Sequence, residues 1–175
     1  MALHSFVDES KTPTYLLVAA LIRPGNLWPA RRLIRSLILP GQRRINFVNE
    51  SDRRRAQILD RLVCLPIEVV LFEAGAKESD KARRDKCLSR LVHHHVDRDV
   101  RRLVLERDDS HAQADRQIVR RELIAVGAPD QLSYELVRAF EEPLLAVPDA
   151  VAWCWPRGGQ WRAKAKQLVS DVYSA

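Results

Sequence analysis

An unbroken apolar run of eight residues, YLLVAALI at positions 15–22, constrains this chain more than any other feature. Its length suits a strand and falls far short of the roughly 20 residues that cross a bilayer. LHSFVD (3–8) precedes it across the turn-like ESKTPT, so the two segments read as a hairpin. RPGN then breaks the chain. A hairpin at the start, followed by alternating helical and strand patterns, predicts an α/β domain. Its mixed central sheet opens with an antiparallel hairpin and carries helices on its faces.

The later patterns complete that picture. LWPARRLIRSLIL reads as a helix, with Leu33, Leu37 and Ile38 on one stripe and arginines opposite. RINFV (44–48) is a short strand candidate, and NESDRRRAQILDRLVCL a helix capped by Asn49 or Ser51. IEVVLFEA (67–74) is a strand, 79–99 a long helix and RRLVLER (101–107) a strand. HAQADRQIVRRELIAV is a helix stopped by Gly127, and QLSYELVRA (131–139) a last strand. PDAVAWCW and QWRAKAKQLVSDVY read as two closing helices separated by PRGG, a helical tail on one domain spanning 1–175.

The chain carries a net charge of +6. Arginine pairs and triples recur, and a late cluster holds Arg157, Arg162, Lys164 and Lys166. Such a surface favours a polyanion, because neutralising phosphates releases their counterions; pairing of arginines with acids on helix faces is the alternative. Cys64, Cys87 and Cys154 are widely spaced and odd in number, which reads as buried free thiols rather than a zinc site. MALHSFVDES lacks a basic segment leading into an apolar core, so no secretory signal is expected, no membrane contact either, and a cytoplasmic location follows. The glycines form no GxxxxGK phosphate loop, which argues against an ATPase.

Four acids stand where charge is costly or conspicuous. Asp8 ends the first strand, Glu50 begins a helix, and Glu106 closes RRLVLE with Asp108 and Asp109 behind it. Asp149 is the lone charge in LLAVPDAVAWCW. Each has an ordinary alternative: a turn at Asp8–Glu9, a favourable helix-dipole contact at Glu50 and Asp149, a surface pair at Glu106. Together they suit a hard divalent cation, which takes several carboxylate oxygens at about 2.0–2.1 Å. Whether Glu106, Asp108 or Asp109 faces inward depends on strand register.

FVDES, its partner YLLVAALI, INFVNES, LVLERDD and PLLAVPDAVAWCW together resemble the domain-of-unknown-function 3800 family, from about Phe6 to Trp155. The resemblance implies a ribonuclease-H-like fold and a metal-dependent nuclease that hydrolyses RNA or DNA with Mg²⁺ or Mn²⁺. It implies Asp8, Glu106 and Asp149 as metal ligands, and Glu50 as the residue that positions a metal or the attacking water. Arg53, Arg54 and Arg55, with Arg162, Lys164 and Lys166, would bind the nucleic acid. The chain departs from the family pattern at Lys11, where a Gly is usual, and at Asn46, where a His is frequent. The second departure favours an alternative, a non-catalytic module of the same fold that binds nucleic acid or protein.

Three consecutive histidines, His93 to His95, cannot all reach one ion from a helix, since neighbours face about 100° apart. His95 continues the apolar stripe and reads as packed, His93 and His94 as solvated. His111 is a candidate proton-transfer partner. Trp153, Trp155 and Trp161 fit either core packing or base stacking beside a basic groove.

Overall fold

The computed structural model describes residues 2–11, 13–75 and 77–175. Six strands form one sheet: β1 (Leu3–Ser10), β2 (Tyr15–Ile22), β3 (Glu68–Ala74), β4 (Val100–Glu106), β5 (Ser133–Val137) and β6 (Val169–Ser174). Their spatial order is β5-β4-β1-β2-β3-β6. The expected hairpin is present, with β1 and β2 antiparallel and Asp8 opposite Val18. Within the expected turn ESKTPT, Thr12 lies outside the described residues. β2 also pairs antiparallel with β3, whereas β1–β4, β4–β5 and β3–β6 are parallel. The sheet is therefore mixed, as the pattern requires.

β2 is buried along its whole length, which is why it has no polar alternation. Its even-numbered residues, from Leu16 to Ile22, join Phe6, Val69, Leu71 and Val104 against α1 (Leu27–Leu37), α2 (Asp52–Leu62) and α5 (Ala146–Cys154). Its odd-numbered residues join Val7, Val70, Phe72, Leu103 and Leu105 against α3 (Asp80–Asp97) and α4 (Ala112–Ala125). Two apolar clusters thus sit back to back across the pleat.

Local signals set the helix ends. Ser51 and Ser79 accept hydrogen bonds from the amides of Arg54 and Ala82, capping α2 and α3. Gly127 ends α4 at φ +71°, with the Ala128 amide donating to the Leu123 carbonyl. In α1 the buried positions are Ala30 and Ile34, with Leu33, Leu37 and Ile38 packed at their margin rather than forming the stripe itself.

Several expectations need correction. RINFV is not a strand: Phe47–Asn49 is a single 3₁₀ turn. Its backbone is held by side chains instead, the Phe47 amide by Asp149 and the Phe47 and Val48 carbonyls by Arg55. The closing helical tail is also wrong beyond α6 (Gly159–Ala165), because Val169–Ser174 is strand β6 on the open edge of β3. There Tyr173 stacks on Phe72, ring centroids 5.6 Å apart, and Arg90 lies over it at 5.4 Å. Cys64 is exposed, unlike buried Cys87 and Cys154. His94 is not solvated: it packs edge-on against Phe72, while buried His95 bonds to Ser5 Oγ at 2.7 Å.

Tyr173→Ala removes a stacked pair and part of the β6 anchor. A loss of about 1–2 kcal/mol in urea denaturation is expected. A solvated helix at the same position would keep the change within about 0.5 kcal/mol.

Candidate active site: an acidic cluster at the end of the parallel strands

The carboxyl ends of parallel strands are where open α/β sheets place their ligands. The β1–β4 pair ends at such a point. Phe6 pairs with Val104 and Val7 with Leu105. Continuing that parallel register sets Asp8 beside Glu106, on the face occupied by Phe6 and Val104. Register also separates Glu106 from its neighbours. Asp108 turns back to accept from the Ser110 amide at 2.9 Å, and Asp109 pairs with Arg107 at 2.6 Å.

α5 crosses this same face and brings Asp149 down from its first turn. Asp149 is the only charge in an apolar helix because its neighbours Val147, Pro148, Ala150 and Val151 are all buried. One carboxylate oxygen accepts from the Phe47 amide at 2.9 Å.

The three acids feel one another. Burial pushes the Asp8 carboxyl well above its ordinary range, and the charges of Glu106, Asp149 and Glu9 push it further. Burial likewise raises Asp149 to about 6, Glu106 adding to the rise, while the Phe47 amide and Arg44 oppose it. None of the three forms an ion pair among the described residues. Among the described residues, the Asp8 carboxylate accepts only the amide of Glu9, at 2.7 Å. A cleft of about 470 Å³ opens at this strand end towards the opposite face: Asp8 and Glu106 line it together with Val7, Glu9, Leu17 and Arg84, while Asp149 does not reach it.

Glu50 is not brought to this cluster. Its buried carboxylate accepts from Gln42 at 3.1 Å and Arg54 at 3.4 Å, and Arg54 in turn donates to the Leu37 carbonyl at 2.6 Å. That arrangement ties the α1–α2 loop to α2. Among the described residues, no group of three or more His, Cys, Asp or Glu side chains stands in an arrangement that could hold a metal ion. The cluster offers the hard oxygen donors that Mg²⁺ or Mn²⁺ takes, but as adjacent carboxylates and not as a closed cage.

The basic residues divide sharply. Arg55 is spent on Asp52, Phe47 and Val48 and lies 4.1 Å over Trp153. Lys164 pairs with Asp60 at 2.7 Å. Arg53, Arg162 and Lys166 are exposed, Arg162 resting over Trp155. Trp153 packs on Phe47 and Trp161, so the tryptophans serve packing first. His111 stands at the cleft margin, 3.9 Å from Asp108.

Sequence reasoning missed the network under the opposite face. Glu9 points there because it follows Asp8 in the pleat. It accepts from Arg84 and from the Tyr15 hydroxyl, and Arg84 also grips buried Asp115 bidentately at 2.7 and 2.8 Å. Burial and Glu9 raise the Tyr15 hydroxyl, whereas Arg84 is held charged by Asp115, Tyr15 and Glu9 against the burial that opposes its charge. The signal available was the DE pair itself, since adjacent strand residues must part to opposite faces.

No family model matches the chain, and no curated protein matches it. Among solved structures it is similar to a chain of the PCNA–ribonuclease HII complex of Archaeoglobus fulgidus. That match has a TM-score of 0.53 and 12% identity, covering 87% of this chain and 70% of that one. The fold is thus ribonuclease-H-like, as expected. No helix among the described residues is long and apolar enough to cross a membrane.

Two outcomes follow from the geometry. Arg84→Ala strands the buried Asp115 carboxylate, so a loss of about 3–5 kcal/mol is expected on chemical denaturation. For Asp149, the folded pKa lies above the unfolded one, so the native state holds the extra proton. Stability contributed by this group is then present below about pH 4 and lost as pH rises towards 6. Asp149→Asn should flatten that part of the stability profile, and carboxyl NMR should show a midpoint near 6 that the variant lacks.

Proposed function

We propose that this protein is a metal-dependent nuclease of the domain-of-unknown-function 3800 family, hydrolysing phosphodiester bonds in RNA or DNA. One observation carries the reading. Three carboxylates from β1, β4 and α5 share one face at the end of a parallel strand pair, and none forms an ion pair among the described residues. In a chain of net charge +6 that supplies so many arginines, leaving these acids unneutralised favours a cation as their counter-charge. The likeness to a ribonuclease HII chain supports the same reading at the level of fold.

Asp8, Glu106 and Asp149 would hold Mg²⁺ or Mn²⁺. A bound cation of this kind supplies an activated water and stabilises the departing oxygen. The residues of the chain have their own tasks. Asp8 and Asp149 must each give up the proton that burial favours, so loading depends on pH. The Glu106 carboxylate makes no hydrogen bond or ion pair among the described residues and is the side chain free to turn towards the other two. Exposed Arg53, Arg162 and Lys166 draw the polyanion to the surface.

The test uses labelled single- and double-stranded RNA and DNA with Mg²⁺ or Mn²⁺, on the wild type beside Asp8→Asn and Asp149→Asn. Cleavage by the wild type is expected to vanish with a chelator and to fall about a hundredfold or more in each variant, the loss of several kcal/mol of charge stabilisation. Binding without cleavage under either cation would reassign the protein as a non-catalytic nucleic-acid-binding module, the reading that the absence of a closed cage favours.

A further inference from the structure

The loop between α1 and α2 reaches the acidic cluster twice. Phe47 donates its amide to Asp149, and Arg44, three residues earlier, carries its charge close enough to act on the same carboxylate. Arg43, Arg44, Phe140, Pro143 and Ala146 line one groove, and Ala146 lies one turn before Asp149 on α5. Arg43 lies over the Phe140 ring, its guanidinium carbon 3.8 Å from the centroid, and Phe140 is 37% exposed.

The neighbouring arginines are committed to the protein itself. Arg54 is bound to Glu50 and Leu37, and Arg55 to Asp52, Phe47 and Val48. Arg44 is half-buried and makes no hydrogen bond or ion pair among the described residues. A guanidinium held at the edge of an acidic cluster, with its five donors unspent, is arranged for an oxyanion that arrives from outside. The groove itself holds about 20 Å³, too little for a base, so a ligand must lie along its rim.

We propose that Arg44 and the Arg43–Phe140 stack form a nucleic-acid subsite beside Asp149. Arg44 takes a phosphate of a single-stranded segment, and a base rests on the guanidinium–ring plate. The ligand class rests on the nuclease reading; the placement rests on the loop alone. A base stacks on either an aromatic face or a guanidinium plane, and Arg43 and Phe140 are both exposed. The inference also moves the strand contact away from Arg54 and Arg55, where the sequence had suggested it, to residues the fold leaves available.

Binding can be read without cleavage. Fluorescence anisotropy with labelled single-stranded RNA and DNA of one sequence, in chelator and across a salt series, separates the subsite from the chemistry. Arg44→Ala is expected to weaken both about tenfold and to reduce the salt slope by about one, as for a lost phosphate contact. Arg44→Lys should keep the slope. Phe140→Ala should weaken binding with the slope unchanged, and Arg120→Ala, on exposed α4 surface, should change neither. Thermal midpoints check that each variant is folded, and Arg44→Gln, which keeps the stem, stands in should Arg44→Ala fail to fold. Unchanged affinity and slope in Arg44→Ala overturns the proposal, as does a wild type that binds neither strand. A loss confined to RNA assigns the contact to a 2′-hydroxyl and overturns the phosphate assignment. A wild type that binds through Arg44 yet never cleaves sinks the nuclease reading while leaving the subsite standing.

Discussion

Everything in this fold depends on the pleat of β1 at the centre of the sheet. Asp8 and Glu9 are adjacent in sequence, and a strand must send adjacent side chains to opposite faces. Asp8 joins Glu106 and Asp149 under α5, where none of the three forms an ion pair among the described residues and only Asp149 feels a nearby cation, Arg44. Glu9 meets Arg84 and Tyr15 under α3, where its charge is fully answered. One strand end therefore carries an unneutralised acid on one side and a closed ion network on the other. The network fixes the strand end firmly, and the firmness sets where the acid stands.

This arrangement changes the meaning of the basic composition. Much of the arginine is paired with acids of the protein itself: Arg31 with Glu142, Arg84 with Glu9 and Asp115, Arg98 with Glu68, Arg102 with Glu135, and Arg121 with Asp85. Exposed pairs of this sort add little to stability, about 0–1 kcal/mol each, but they remove charge from the outer field. What remains for a polyanion is a smaller set, and Arg43 and Arg44 stand in it beside the acids.

The sequence disclosed what local pattern can encode. The unbroken apolar run of β2 marked a doubly covered strand, the Asn49–Ser51 stretch marked the start of α2, and the solitary charge in LLAVPDAVAWCW marked Asp149. It could not resolve Glu106 from Asp108 and Asp109, because pleat parity on β4 is fixed only by its pairing with β1, as Phe6 opposite Val104. β6 was hidden for a related reason. An edge strand needs few apolar residues, and VSDVYS follows a helical KAKQ pattern that runs into it. Glu50 misled because a buried acid at a helix start has the same sequence signature whether it serves a loop or a ligand. The Arg84 network joins residues 31 and 75 positions apart and leaves no local trace.

The hydrogen bond from Phe47 to Asp149 gives the two halves of this site a shared lever. The loop that presents Arg44 hangs from a carboxylate that the proposed nuclease reading assigns to a cation. Anything that draws electron density from Asp149 loosens its hold on the Phe47 amide, and anything that tugs the loop disturbs the carboxylate. Thermodynamic reciprocity makes the two effects equal in size. On that reading, a cation at the acidic corner and the posture of the arginine loop would be coupled through one hydrogen bond.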